Sequence, residues 1–322
     1  MALTDQEFII ESRRLTTGDR PAISMADSAY RDGKEPCASG NHALWPSFRN
    51  WIIRLIMLLK SIPRYRRIRI TYRSGANFFS EIVPAALLGR FFGRELILSY
   101  RSNRAEAELE DYGRGMQPFL RLFHRIEVPC DHAARVFRRY NLKATVVPPV
   151  VNDDLFSFCL RMIVQPRIVT ARRLERGSNI VGLIKAFRFI KQKYPRAELT
   201  ILGDGPQREW LEWFIDSEHI HGVTLAGRVS HEEVARHFTA ADLYANASTI
   251  DSLPLSMLEA LRAGLPVVTT NAGQISEIID DRINGLLVPI NDHHALADRI
   301  IELVKNPSLV TRLSEAAGKG SK

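Results

Sequence analysis

From residue 167 to residue 305 the chain alternates short apolar runs with amphipathic ones, and that alternation constrains the fold more than any other feature of the sequence. Arg167–Thr170, Glu198–Leu202, Val223–Ala226, Leu243–Ala245, Pro266–Thr269 and Gly285–Val288 are rich in Val, Ile and Leu and too short for helices, so they read as strands. Between them, Ile180–Lys193, Pro206–Ile215, Pro254–Ala263, Ile275–Ile279 and Ala295–Lys305 read as helices. Ser230-His231-Glu232-Glu233 has the spacing of a capping box and opens another, running to Thr239. Strands that alternate with helices demand right-handed crossovers and a parallel sheet. The first half repeats the pattern less clearly. Ile68–Tyr72, Glu95–Tyr100, Arg125–Pro129 and Ala144–Val147 read as strands, and Phe79–Phe92 and His132–Tyr140 as helices. Pro148-Pro149 then breaks the pattern, and 148–165 reads as a linker.

The expected fold is therefore α/β, with two Rossmann-like lobes whose parallel sheets face a cleft. The first lobe, 1–160, reads as incomplete, because residues 1–45 show no sustained period and are expected to be irregular. The second lobe is 161–322. Hydrophobic residues are 45% and charged residues 25%, which excludes a disordered or fibrous chain. Cys37, Cys130 and Cys159 are far apart without CxxC spacing, so neither zinc nor a disulfide framework is indicated and a reducing compartment fits. Met1–Glu11 carries acids where a signal peptide needs bases, and the longest apolar run, Trp51–Leu59, contains Arg54 and is far short of a bilayer span. The expectation is a cytoplasmic protein, with the inner face of the membrane as an open peripheral location.

Charge is uneven. Residues 1–160 hold 24 basic and 17 acidic side chains, against 20 and 19 in 161–322. Lys60, Arg64, Arg66, Arg67, Arg69 and Arg73 occur together without an acid, after an amphipathic stretch from about 47 that includes Trp51, Ile52 and Leu55. An anionic membrane surface is the partner such a pattern admits. No aromatic stacking pattern or known module accompanies the bases, so a nucleic acid is not expected.

Ligands of open parallel sheets bind beyond the carboxyl ends of the strands, so the loops there are the places for chemistry. The richest is 248–260. Asp251 lies in the loop, Glu259 about 1.5 turns into the helix, and the amides of Ser252, Leu253, Pro254 and Leu255 mark the helix start, although Pro254 itself has no N–H to offer. A helix N-terminus attracts phosphate oxygens, and carboxylates accept from hydroxyls, so a sugar and a ribose joined by a diphosphate would suit it. The same residues also suit a helix cap and a solvated helix face. Arg172 and Arg173 follow a strand and have the fork geometry for a diphosphate, or form a solvated basic loop beside Glu175. Gly203-Asp204-Gly205-Pro206 begins like a GxGxxG, but Arg208 stands at the third glycine, so a tight turn for close ligand approach is expected and a nicotinamide cofactor is not. Asn271-Ala272-Gly273-Gln274 is a further glycine loop. No Asp-x-Asp occurs, and His231-Glu232 is only half of an HExxH because Ala235 stands where the second His belongs, so no metal is expected.

Taken in order, these segments resemble the family 4 glycosyltransferases, retaining enzymes of the GT-B fold. The resemblance runs from about Arg125 to Asn306 through Val128-Pro129-Cys130-Asp131, Val147-Pro148-Pro149-Val150-Val151-Asn152, Arg173-Leu174-Glu175, Leu202-Gly203-Asp204-Gly205-Pro206, Gly227-Arg228-Val229, the 248–260 stretch and Ala263-Gly264-Leu265-Pro266-Val267-Val268-Thr269-Thr270. It implies a nucleotide-sugar donor on the second lobe, a glycan or lipid-linked acceptor on the first, and no cofactor or metal. Asp251 and Glu259 fall on the family's two-acid motif, for the sugar hydroxyls and the ribose. Arg173 falls on its diphosphate arginine, and Val229 beside the base. The chain departs from the pattern where Ser178 replaces a lysine, Asp251 a glutamate and Gln274 a glycine, where the first lobe lacks a Gly-rich loop, and where the C-terminal crossover helix is expected to be missing. These departures keep a second expectation open: a non-catalytic or truncated relative that at most binds a nucleotide sugar.

Overall fold

The computed structural model describes residues 4–11, 14–17, 20–23, 56, 58–72, 78–102, 105–149, 151–251 and 254–320. They form two compact units, Met1–Pro148 and Pro149–Lys322, each with its own sheet.

The first unit is built on a seven-stranded sheet in the order β3-β2-β1-β4-β5-β6-β7. Its strands are β1 (Thr4–Glu11), β2 (Arg14–Thr17), β3 (Arg20–Ile23), β4 (Tyr65–Tyr72), β5 (Glu95–Tyr100), β6 (Arg125–Val128) and β7 (Ala144–Val146). The expectation that residues 1–45 are irregular is corrected here, because β1 pairs in parallel with β4, Ile10 opposite Ile70, and β2 and β3 add antiparallel. The signal in β1 is only Phe8-Ile9-Ile10 between Glu7 and Glu11, three apolar residues without alternation. The helix expected from about 47 lies mostly outside the described residues, although residues 58–61 are helical. Helices α1 (Val83–Phe91), α2 (Ala105–Leu120) and α3 (Asp131–Arg139) pack around Ile68, Ile70, Leu96, Leu98, Tyr100 and Phe137. Helix α2 has no counterpart in the sequence reading. Its buried face is Ala105, Leu109, Gly113, Met116 and Leu120, helical in spacing but partly filled by small residues, and Gly115 and Pro118 weaken the signal further.

The second unit carries a six-stranded parallel sheet, order β10-β9-β8-β11-β12-β13. The strands are β8 (Arg167–Ala171), β9 (Glu198–Leu202), β10 (Val223–Gly227), β11 (Leu243–Asn246), β12 (Val267–Thr270) and β13 (Leu286–Val288). Its helices are α4 (Ile180–Lys193), α5 (Arg208–Ser217), α6 (His231–Ala240), α7 (Leu255–Arg262), α8 (His293–Lys305) and α9 (Pro307–Gly320). The outward strand order, reversing between β8 and β11, places a topological switch point at their carboxyl ends. Both sheet faces are covered, one by the cluster of Ile184, Phe187, Leu199, Leu243 and Ile300, the other by Phe238, Tyr244, Met257, Ala260 and Val267.

The stretch read as a linker, 148–165, belongs to the second unit from Pro149 on, and the boundary falls at 148/149 rather than 160/161. The segment lacks regular structure but is strapped onto the second unit. Phe156 is buried against Phe238, and the Cys159 amide donates to the Ala263 carbonyl. Arg161 is buried with its guanidinium over the end of α6, donating to the carbonyls of Phe238, Thr239, Ala241 and Cys159. The carbonyls at a helix end have no partner within the helix, and a cation there also opposes the dipole. Helix α9, beyond the last element expected, packs its buried Leu309, Val310, Leu313 and Ala317 on α7 and α8.

Candidate functional site

The polar residues of the second unit gather at the carboxyl edge of its sheet. Asn246 ends β11, and its side chain donates to Thr269 Oγ1 at 3.1 Å and accepts from Ser248 Oγ at 2.7 Å. Thr270 Oγ1 donates to the Ser248 carbonyl at 2.6 Å. These bonds fix the start of the loop that delivers Asp251. The loop after β12 closes over it. The Gln274 amide donates to the Asp251 carbonyl, and a Cβ on Gly273, at φ +58°, would stand 1.7 Å from that oxygen. No side chain fits there, so the glycine is required.

The loops after β8 and β9 interlock in the same way. The amides of Arg172 and Leu174 donate to the carbonyls of Leu202 and Asp204. A Cβ on Gly203, at φ +137°, would lie 2.0 Å from the Arg172 carbonyl, and one on Gly205 would lie 2.4 Å from that of Leu174. The glycines of the turn therefore admit a neighbouring backbone loop. The tight turn expected there forms, and what lies against its glycines is the backbone of the loop that carries the arginines.

Arg172 points inward. Its Nη2 is 2.7 Å from Asp251 Oδ2, with side-chain exposures of 13% and 4%. Tyr244 lies fully buried beside them, its hydroxyl 2.9 Å from Ser256 Oγ on α7. Burial pushes the Tyr244 phenol up, and the nearby Arg172 guanidinium opposes that shift. Arg172 Nε and Gln274 Oε1 are among the buried polar atoms of the described residues that have no hydrogen-bond partner. Buried polar atoms left unpaired are costly.

Glu259 lies on α7, 4% exposed. Its Oε1 is 2.7 Å from Nε2 of His231, the first residue of α6. Burial raises the Glu259 carboxyl above its ordinary value, and the bond to and charge of His231 pull it back. The capping box that opens α6 is present, with Ser230 accepting from the Glu233 amide and Glu233 accepting from the Ser230 amide.

The expected site residues thus divide. Asp251 and Arg172 meet, and Gly203, Asp204 and Gly205 bracket the arginine loop. Glu259 is held by His231, two residues after the half-buried Val229. Pro254 is buried and Leu255 opens α7, while Ser252 and Leu253 lie outside the described residues. Arg173 is turned outward, 62% exposed and 3.5 Å from Glu175 Oε2, so the guanidinium in contact with Asp251 is its neighbour's. Backbone alternation decides which of two adjacent arginines faces in, and one residue of register cannot be read from the sequence. Ser178 is 2% exposed and brings no charge to its position. The role of His231 was missed, its only signal being a histidine that opens a helix close behind Val229. Among the described residues, no group of three or more His, Cys, Asp or Glu could hold a metal ion.

Residues 164–320 match the family model described as glycosyl transferases group 1. Alpha-monoglucosyldiacylglycerol synthase of Acholeplasma laidlawii is 29% identical over 150 residues, 46% of this chain and 37% of that protein. The amylovoran biosynthesis glycosyltransferase AmsK of Erwinia amylovora is 30% identical over 184 residues, 54% of this chain and 45% of its own length. The alignments thus span less than half of these curated relatives. Among solved structures, TarM of S. aureus, crystallised with fondaparinux, alpha-GlcNAc-glycerol and UDP, has a TM-score of 0.70 at 17% identity over 84% of this chain and 55% of its own. Anabaena HepE with UDP and glucose has 0.69 at 16% identity over 83% of this chain and 76% of its own. Likeness at that identity establishes the fold: α/β, with two Rossmann-like units of the GT-B kind.

Proposed function

Starting from a second unit that carries the glycosyl transferases group 1 pattern, we propose that the chain is a retaining glycosyltransferase of family 4. It moves a sugar from a nucleotide-diphosphate donor to a glycan or lipid-linked acceptor, without a metal. One observation carries the reading: the Arg172 guanidinium pairs with the buried carboxylate of Asp251 at the switch point of the sheet, and a second buried carboxylate, Glu259, lies on the helix α7 that follows. Asp251 holds sugar hydroxyls and Glu259 those of the ribose, with the base beside Val229. The diphosphate lies between the arginine loop and the amides at the start of α7. Departure of the diphosphate leaves negative charge on its terminal oxygen, and stabilising that charge is the main catalytic term. No enzyme nucleophile is used; as the bond from the anomeric carbon to the diphosphate breaks, the acceptor hydroxyl attacks from the face that the leaving group vacates and gives its proton to the departing diphosphate oxygen. Neighbours that bind UDP support a nucleotide donor. Transfer from a panel of UDP- and GDP-sugars, by the wild type and by Glu259→Ala and Arg172→Ala, tests the site. Unchanged turnover in both variants rejects it.

The uncharged, buried Ser178 favours a second reading, a relative that binds the donor without transferring its sugar. Calorimetric binding without product in any transfer assay selects it.

A peripheral location on an anionic, inner membrane face is supported by the first unit. Ile56, Leu59, Leu87 and Phe91 are exposed there, in a stretch whose charged residues are Lys60, Arg64, Arg66, Arg67, Arg69, Arg73, Glu81 and Arg90. Among the described residues, no helix is long and apolar enough to cross a membrane. Binding to phosphatidylglycerol vesicles that does not weaken with added salt rejects the electrostatic part of this reading.

A further inference from the structure

His231 joins the two parts of the site that the proposed function assigns to the nucleoside. It follows Val229 by two residues, and its Nε2 reaches Glu259 Oε1 at 2.7 Å. The ring is also packed on Phe156, 5.2 Å between centroids, and Phe156 is buried against Phe238. The imidazole therefore has an apolar wall on one side and a carboxylate at one nitrogen, while 46% of the side chain stays open to solvent.

We propose that His231 is a positioning residue, which orients the Glu259 carboxylate for the ribose hydroxyls and tightens the grip on a nucleotide sugar when its imidazole is protonated. The inference rests on the reading of this edge as a nucleotide-sugar site. A carboxylate has about four acceptor positions. His231 fills one of them and fixes the rotamer, leaving the others for a vicinal diol. Neutral imidazole can donate through Nε2–H, but it brings no charge. Once a ribose covers Glu259, its remaining contact with water is lost, and an uncompensated carboxylate in such a place is costly. A protonated ring beside it offsets that cost and also favours the nearby diphosphate. Binding therefore draws a proton onto His231.

The other charged groups around the ring do not replace it. Glu232 is its neighbour on α6, Glu233 is engaged by Ser230, and Asp153 on the strap is paired with Arg262 of α7 at 2.6 Å. Both glutamates are acids and can only favour the protonated ring.

The test is calorimetry with UDP-glucose and GDP-mannose, probes whose diphosphates do not titrate near neutrality, at about pH 6 and about pH 8 on either side of an ordinary histidine. Wild-type affinity is expected to rise by roughly threefold to tenfold toward the lower pH, because binding and protonation of the ring are linked. His231→Gln keeps an N–H donor without the charge, and its affinity is expected to be flat with pH. His231→Phe keeps the ring on Phe156 but no donor, and is expected to bind weakly at both. The same pH profile in His231→Gln as in the wild type, with binding intact, overturns this inference alone. A wild type that binds neither probe overturns the donor reading and this inference with it.

Discussion

Arg172 and Asp251 form a nearly dry ion pair at the carboxyl edge of the second sheet, 2.7 Å apart with Tyr244 beneath them. Two loops that follow adjacent strands, β8 and β11, are thereby tied by charge as well as by backbone.

Removing one member of that pair leaves the other uncompensated. Arg172→Met is expected to destabilise the protein by about 3 kcal/mol, the cost of breaking a buried ion pair. Arg172→Met with Asp251→Asn should recover a large part of it, because no buried charge then remains. Urea denaturation of the two single variants and the double one measures the coupling. A double variant as unstable as the sum of the singles contradicts a direct pair.

Glu259 gives a pH signature in stability. Its folded carboxyl sits above the ordinary value because it is buried. The native state therefore binds more protons than the unfolded chain between those two values, and this group's contribution falls as pH rises through the folded pKa. Glu259→Gln removes that loss. Its melting temperature is expected above wild type at neutral pH, with the gap closing as pH drops to the unfolded carboxylate range near about 4. A thermal-shift series over pH checks it, and a gap that is the same at every pH contradicts it.

Arg161→Ala should be among the most damaging substitutions outside the site. It withdraws the donors from four backbone carbonyls at the end of α6 and on the strap. About 3 kcal/mol is expected, from the range for buried groups left without partners. Guanidinium denaturation measures it; a loss under about 1 kcal/mol would mean that water replaces the guanidinium.

Gly203→Ala and Gly93→Ala separate crowding from backbone strain. Both glycines have positive φ, +137° and +64°, but a Cβ meets the Arg172 carbonyl at the first and nothing within 4 Å at the second. Gly93→Ala is expected to cost about 1 kcal/mol, the price of an alanine in the left-handed region. Gly203→Ala should cost clearly more and also weaken nucleotide binding, because the arginine loop must shift. Equal losses by chemical denaturation would contradict the crowding.

Much of the second unit is written in local sequence. β8 to β13 and the helices between them follow apolar runs and caps, and the Ser230–Glu233 box forms as its spacing requires. Two kinds of information are not local. The inward turn of Arg172 rather than Arg173 depends on register against β9, and the His231–Glu259 bond joins residues 28 positions apart on separate helices. In the first unit, α2 hides behind Gly113, Gly115 and Pro118, and β1 carries three apolar residues whose pairing with β4 crosses a long stretch of chain.

The strap from 149 to 166 bears on any attempt to excise the donor-side half. A polypeptide begun at β8, where the regular pattern starts, would strip Phe156 from Phe238 and leave the end of α6 uncapped. The cut that respects the molecule's own seams comes some eighteen residues earlier, between the two prolines at which the alternating pattern stops.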